Sequence, residues 1–367
     1  MVRNIAHPDS PELTVAEPVV PLTSVQQHYR QRVLQKFDTS EYGLESVPVC
    51  LCGAADTIKI ASQDRFGLPV GVVACLNCGL ARTSPRLAAV DLPRFYQEDY
   101  HGLHMGMPQP SPSMALYREG QGRQIYGYVS PWLQLPRIRV AEVGCGTGQV
   151  LREFIAAAEG DSRTVTAIGC EYASAYVAAG KAAGSWIELG STETLVPFAP
   201  FDLVILSHVV EHFADPEREL QLIRQLLSED GLAYIEVPGV LRIHRKPEYE
   251  YEFLRYLTVA HTYHFSLASL SAVLWRAGLE RVAGDEEVRV LARNRRSDAF
   301  PPASSNAPAL QSYLHWLESS RMIRSKRRLL RISGRVRSAS SAALHRVLGE
   351  RFYGFLRQAR HSLRRRR

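Results

Sequence analysis

The stretch RVAEVGCGTGQVL, residues 139–151, decides the fold. Arg139 to Val143 reads as a short apolar strand, and QVLREFIAAAE at 149–159 places its apolar residues at helical spacing. Between the two stand Gly144, Gly146 and Gly148. Glycine tolerates positive φ and puts no Cβ between the main chain and a ligand. A strand, a glycine turn and a helix N-terminus together offer backbone N–H groups to a bound molecule.

Outward from this unit the alternation continues. Strands are expected at 164–170, 185–189, 201–207 and 232–237, with late strand material over 280–291. Helices are expected at 173–183, 216–227 and 267–277. Strands alternating with helices of this length imply βαβ units. The fold class is therefore α/β: a Rossmann-like, mostly parallel sheet with helices on both faces, over 137–295.

Glu171 ends the second strand. An acidic side chain at that point can accept hydrogen bonds from both ribose hydroxyls of an adenosine ligand. A nicotinamide dinucleotide would need G-x-G-x-x-G, its third glycine packing helix on strand. Here the spacing is G-x-G-x-G, and Gln149 holds the place of that third glycine. Glu142, two residues before the loop, suits an ammonium and would repel a pyrophosphate.

These residues resemble the class I S-adenosylmethionine-dependent methyltransferases. The resemblance is carried by EVGCGTGQVL at 142–151, GCEY at 169–172, FDLVILSHVVEHFADP at 201–216 and GLAYIEVPG at 231–239. It implies S-adenosyl-L-methionine as cofactor, contacted by Gly144, Gly146, Gly148 and Glu171, with Glu142 beneath the loop and Ser207 and His208 beside it. Glu142 replaces the commoner Asp, and Cys170 is an unusual end to the second strand. SHVV stands where N/D-P-P-Y/F would, which argues against methylation of exocyclic amines on nucleic-acid bases.

Two cysteine pairs, Cys50-x-Cys52-Gly and Cys75-x-x-Cys78-Gly, suit tetrahedral Zn²⁺ in a closed structural site. A small zinc-ribbon-like module is expected over 46–90. Together with DRFGLPV at 64–70, SPR at 84–86 and FYQEDY at 95–100, it resembles a bacterial methyltransferase subgroup laid out like sugar C-methyltransferases. That resemblance implies a small-molecule or glycan acceptor, a sugar in polysaccharide or natural-product biosynthesis. Candidate bases for the transfer fall in two clusters: His208, Glu211 and His212, then His261, Tyr263 and His264. His208, His261 and His264 are the expected catalytic residues; the Glu211–His212 pair is common in the family and reads mainly as architecture.

The flanks complete the layout: an arm over 1–45, a helical connector over 91–136 that includes a helix from Met114 to Leu133, a linker over 296–309 and a basic helical tail over 310–367. The whole chain carries +7, yet 318–367 holds sixteen Lys or Arg and two Glu, so the remainder is acidic. Leu310, Leu314 and Leu317 recur at helical spacing, as do apolar residues from Leu344 to Leu356. The tail is expected to lie on an anionic membrane surface, apolar side inserted and Arg outside; nucleic acid is the weaker alternative. Paired cysteines and the lack of a long apolar run point to a cytoplasmic protein, peripheral to the inner face of the membrane. Two other readings compete: an rRNA or tRNA methyltransferase, and a non-catalytic adaptor with a relic Rossmann-like domain.

Overall fold

A computed structural model describes residues 16–110, 118–296 and 307–330. Helix α1 (Ser24–Asp38) starts at Thr23, whose hydroxyl caps the Gln26 N–H while the Gln26 side chain caps Thr23 in return. Short strands follow: β1 (Leu44–Glu45), β2 (Thr57–Ala61), β3 (Val72–Cys75), β4 (Ala81–Thr83) and β5 (Arg86–Leu87). Strand β3 begins only after Gly71; Pro69, just upstream, lacks the donor a ladder needs. Helix α2 (Leu92–Glu98) and a π turn at His101–Met105 lead to α3 (Gln121–Val129). Of the expected helix Met114–Leu133, residues 114–117 lie outside the described residues; within the rest, Gly120 at φ +84° opens α3 and Pro131 lies just past its end.

The central sheet is built from β6 (Arg137–Val143), α4 (Gln149–Gly160), β7 (Thr164–Glu171), α5 (Ser174–Ala182), β8 (Ile187–Leu189), β9 (Phe201–Ser207), α6 (Pro216–Leu226) and β10 (Leu227–Glu236). After it come α7 (Phe253–Tyr256), β11 (Tyr263–His264), α8 (Leu267–Arg276), β12 (Leu279–Gly284), β13 (Arg289–Asn294) and α9 (Ala307–Ser319). Seven strands pair in the order β12-β13-β10-β9-β6-β7-β8. The pairs from β10 to β8 are parallel, and β13 runs antiparallel to both its neighbours.

Both faces of this sheet are apolar, as a sheet covered on two sides requires. Ile138, Val140, Leu203 and Ile205 pack with Ile125 and Val129 of α3 and Val150, Leu151 and Phe154 of α4. The alternate residues Ala141, Val143, Val204 and Leu206 face Leu220 and Ile223 of α6 and Leu270 and Leu274 of α8. From β6 the chain winds outward through β7 and β8, then returns to add β9 and β10 on the other side. The strand order thus reverses between β6 and β9, and ligands of open α/β sheets sit at the carboxyl ends of strands at such a point. The glycine loop, Glu171 and His208 all lie at those ends.

The cysteine-bearing segment is not walled off. Its antiparallel sheet, β11-β4-β3-β2, takes its edge strand from far along the chain, with Tyr263 opposite Arg82 and His264 opposite Ala81. Cys50, Cys75 and Leu80 belong to the same apolar core as β9 and α8.

The start of the basic tail corrects an expectation. Leu310 and Leu317 of α9 are buried against Val240, Ile243 and Tyr256, with Leu314 partly buried beside them. This apolar stripe is turned into the protein and is not offered to a membrane. Residues 321–330 are also helical. The rest of the expected tail, 331–367, most of the linker and the first part of the arm lie outside the described residues. Among the described residues no helix is long and apolar enough to cross a membrane.

Candidate active site

The three loop glycines adopt φ of +64°, +58° and +70°, a region costly for any residue with a Cβ. Each is held for a different reason. A Cβ on Gly148 would stand 2.6 Å from the Ser185 Oγ, and one on Gly144 3.0 Å from Val209 Cγ2. A Cβ on Gly146 would meet nothing within 4 Å, so that glycine keeps open space above the loop. Glu171 supports the loop: its Oε2 accepts the Gly146 N–H at 3.0 Å and its Oε1 accepts the Ala173 N–H at 2.9 Å. Burial raises its pKa above the usual carboxylate range, against these hydrogen bonds.

Glu142 is buried behind the loop, and its Oε2 has no hydrogen-bond partner among the described residues. Desolvation pushes its pKa up to about 8; the Arg118 guanidinium pulls the other way. Arg118 is a residue the sequence reading missed. Its Nη1 is buried and unpartnered among the described residues, and its charge is felt by Glu142 and Glu171. No motif marks it, because it stands just before α3, outside the strand–loop–helix pattern.

A cleft of about 1270 Å³ opens over these groups. Arg118, Gly144, Gly146 and Glu171 line one part of it; Tyr96, Tyr100, His208, Glu211, His212 and His261 line another. The roughly 300–1,000 Å³ typical of a single small ligand is exceeded, which leaves room for a cofactor and an acceptor together.

His208 follows β9 with φ +58°, and its side chain is 42% exposed in the cleft. Its Nδ1 lies 3.5 Å from Glu211 Oε1. His212 Nε2 and His261 Nε2 approach the same oxygen at 3.8 and 3.9 Å. Both Glu211 oxygens are buried and lack hydrogen-bond partners among the described residues, as does His261 Nδ1. Burial drives the His261 pKa well below its ordinary value.

Of the expected site residues, Glu142, Gly148, His264 and Ser207 do not line the cleft. His264 is fully buried, its ring between the Thr83 hydroxyl and the Tyr256 hydroxyl, each at 3.3 Å. Burial takes its pKa down to about 3, which suits a neutral ring that holds β11 against β4. Ser207 accepts from Gln121 Nε2 at 2.7 Å and donates to Glu236 Oε2 at 3.3 Å. It positions Gln121 and Glu236, which do line the cleft.

The four cysteines converge. Cys50 Sγ lies 3.6 Å from Cys78 Sγ, and Cys52 Sγ 3.6 Å from Cys75 Sγ, all four within 4.8 Å of one another. A Zn–S bond of about 2.3 Å in a tetrahedron implies sulfurs about 3.8 Å apart, so the donor set fits zinc. Gly53 and Gly79, at φ +86° and +74°, let the chain turn after each pair.

Residues 114–283 match a family model described as a methyltransferase domain. No curated protein matches the chain. Among solved structures, the plantazolicin methyltransferase BamL, in complex with a desmethyl plantazolicin analogue and SAH, is 15% identical, over 66% of this chain and 90% of that one, with a TM-score of 0.40. An S-adenosylmethionine-dependent methyltransferase from Clostridium acetobutylicum is 7% identical, over 50% and 98%, with a TM-score of 0.38. An O-methyltransferase from neocarzinostatin biosynthesis is 18% identical, over 56% and 67%, with a TM-score of 0.34. Residues 114–283 thus match a methyltransferase domain, and the strand order with its single antiparallel β13 and the glycine loop braced by an acidic residue at the end of β7 are what the resemblance to class I S-adenosylmethionine-dependent methyltransferases leads one to expect.

Proposed function

We propose that this chain methylates a polar small molecule or glycan, a sugar in polysaccharide or natural-product biosynthesis. The observation that carries the reading is the two-part cleft. One part is a glycine loop and Arg118, whose Nη1, like Oε2 of Glu142 behind the loop, has no hydrogen-bond partner among the described residues; the other is a wall of tyrosines and histidines. Rings such as Tyr96 and Tyr100 offer flat apolar faces and polar rims, a combination that suits a sugar.

The residues fit the cofactor. Glu171 would hold the ribose hydroxyls and the N–H groups of the glycine loop the methionine part. Glu142 would face the ammonium and Arg118 the carboxylate. When bound, S-adenosylmethionine supplies an electrophilic methyl group. The enzyme's task is then alignment of the nucleophile with that methyl and exclusion of water. His208, exposed to the cleft with its Nδ1 3.5 Å from Glu211 Oε1, would take the proton of an acceptor hydroxyl. Zinc in the four-cysteine site would hold β3 and β4 together without touching the reaction. The tail beyond residue 330 is proposed to meet an anionic membrane surface, which binding to anionic but not neutral vesicles would support.

The direct test is transfer of label from isotopically labelled cofactor to nucleotide-sugar and glycan pools, read by mass spectrometry. Label in a sugar is the expected result. Label found only in RNA, or none in any sugar while the cofactor binds, would overturn the acceptor class.

A further inference from the structure

Glu211 is a buried carboxyl group at the wall of the cleft. It is 1% exposed, and both carboxylate oxygens lack a hydrogen-bond donor among the described residues. Three imidazoles surround it, and the nitrogens they turn to it stop at 3.5 to 3.9 Å from Oε1, too far for hydrogen bonds. A buried carboxylate left this way costs several kcal/mol unless something positive sits against it.

The tautomer of His212 sharpens the point. Its Nδ1 lies 3.0 Å from the Ala260 carbonyl oxygen, which only accepts, so Nδ1 carries the hydrogen. The Tyr96 hydroxyl at 2.9 Å from Nδ1, itself donating to the Ala260 carbonyl at 3.2 Å, agrees with this assignment. In the neutral ring Nε2 then turns a lone pair toward the Glu211 oxygen at 3.8 Å. His261 Nε2 stands on the same oxygen at 3.9 Å. The His212 lone pair, and that of His261 Nε2 when its ring hydrogen sits on Nδ1, meet a carboxylate oxygen with no proton between them, which is a cation's donor set. A metal-bound histidine usually donates its other ring N–H to a carbonyl or carboxylate, as His212 does to Ala260.

We infer that Glu211, His212 and His261 form a divalent-metal site in the acceptor wall of the cleft, separate from the four-cysteine cluster. The three donor atoms lie within 4.8 Å of one another. Metal–nitrogen and metal–oxygen bonds of about 2.0–2.2 Å would need those donors to close by only a few tenths of an ångström from the distances seen. Two imidazoles and one carboxylate select a first-row transition ion, Zn²⁺, Mn²⁺ or Fe²⁺, over Mg²⁺ or Ca²⁺. Three protein ligands leave positions open toward the cleft, where an acceptor hydroxyl can bind the ion and lose its proton more readily. That role, though not the site itself, rests on the methyl-transfer reading above. The arrangement also accounts for the Glu211–His212 pair and distant His261 sharing one place.

The test is a metal count on the full chain. Purified wild-type protein is dialysed against excess Zn²⁺, washed, and analysed for zinc beside Glu211→Gln and His261→Gln. The expected result is two equivalents in the wild type, one at the cysteines, and one equivalent in each variant. Equal zinc content in wild type and both variants would overturn the site. Mn²⁺, which thiolates hold poorly, gives a second readout should a variant fold badly. It should raise the thermal midpoint of the wild type in a concentration-dependent way, and no rise up to millimolar Mn²⁺ in wild type free of zinc at this site would count against it. Cofactor affinity measured on the same samples reports the methyltransferase reading separately.

Discussion

Glu171 Oε2 accepts the backbone N–H of Gly146 at 3.0 Å, so the acid that would bind the ribose also braces the loop that would bind the methionine part. Its other oxygen is held by the Ala173 N–H. The carboxylate is thereby aimed before any ligand arrives. Hydrogen bonds to a charged acceptor are worth about 1.5–3 kcal/mol each. Glu171→Gln should therefore weaken S-adenosylmethionine binding roughly tenfold to a hundredfold, measured by calorimetry, and lower the thermal midpoint as well, because an amide can accept only one of the two N–H groups. Unchanged affinity would remove Glu171 from the cofactor site.

Gly148→Ala should act on stability first. A Cβ there needs a positive φ, costing about 1–2 kcal/mol, and also meets Ser185 Oγ at 2.6 Å. A total loss of about 2–4 kcal/mol in urea unfolding is expected once overpacking is added. Gly160→Ala is the control. It ends α4, and a Cβ there meets nothing within 4 Å, so it should be neutral or slightly stabilising.

The parts of the fold that follow from local pattern were readable in the chain. The strand–loop–helix at 139–151, Glu171 after the second strand, and the alternation behind the parallel sheet all depend on residues close in sequence. What escaped depends on contacts across the chain. Arg118 carries no motif, and only the fold brings it to Glu142. His264 looks like His261 in sequence, yet strand pairing with Ala81 turns it into the core. The stripe of Leu310 and Leu317 has the same spacing whether it meets a membrane or a protein. Only the apolar patch at Val240, Ile243 and Tyr256 decides between them.

Glu142 should make stability depend on pH in a defined window. Its folded pKa is raised to about 8, above about 4.3 for a glutamate in an unfolded chain. Below the lower value the group is protonated in both states and costs nothing. As pH rises toward 8 the unfolded chain releases the proton and the folded one retains it, so stability falls across that interval and levels off above it. Glu142→Gln keeps the shape and removes the titration. The variant should match wild type near pH 4 and exceed it increasingly up to about pH 8, as measured by urea unfolding across pH. A gap that does not vary with pH would show that burial is not what governs this carboxyl.

Loss of metal from the cysteine site should reach the active-site wall through the backbone. Cys75 ends β3, β3 pairs with β4, and β4 pairs with β11 at Tyr263 and His264. His261 lies two residues before β11, and its carbonyl accepts the Thr83 hydroxyl. A structural zinc contributes directly to folding where a small module lacks a core of its own. Here the module shares a core with β9 and α8, so chelation should not unfold the whole chain. The expected outcome is a lower thermal midpoint together with faster amide exchange at 57–83 and 261–264, while 139–171 stays protected. Cys78→Ser should reproduce that pattern without chelator. Exchange confined to 50–80 would mean that β11 is held by its pairing with β4 and by the hydroxyl partners of His264, independent of the metal.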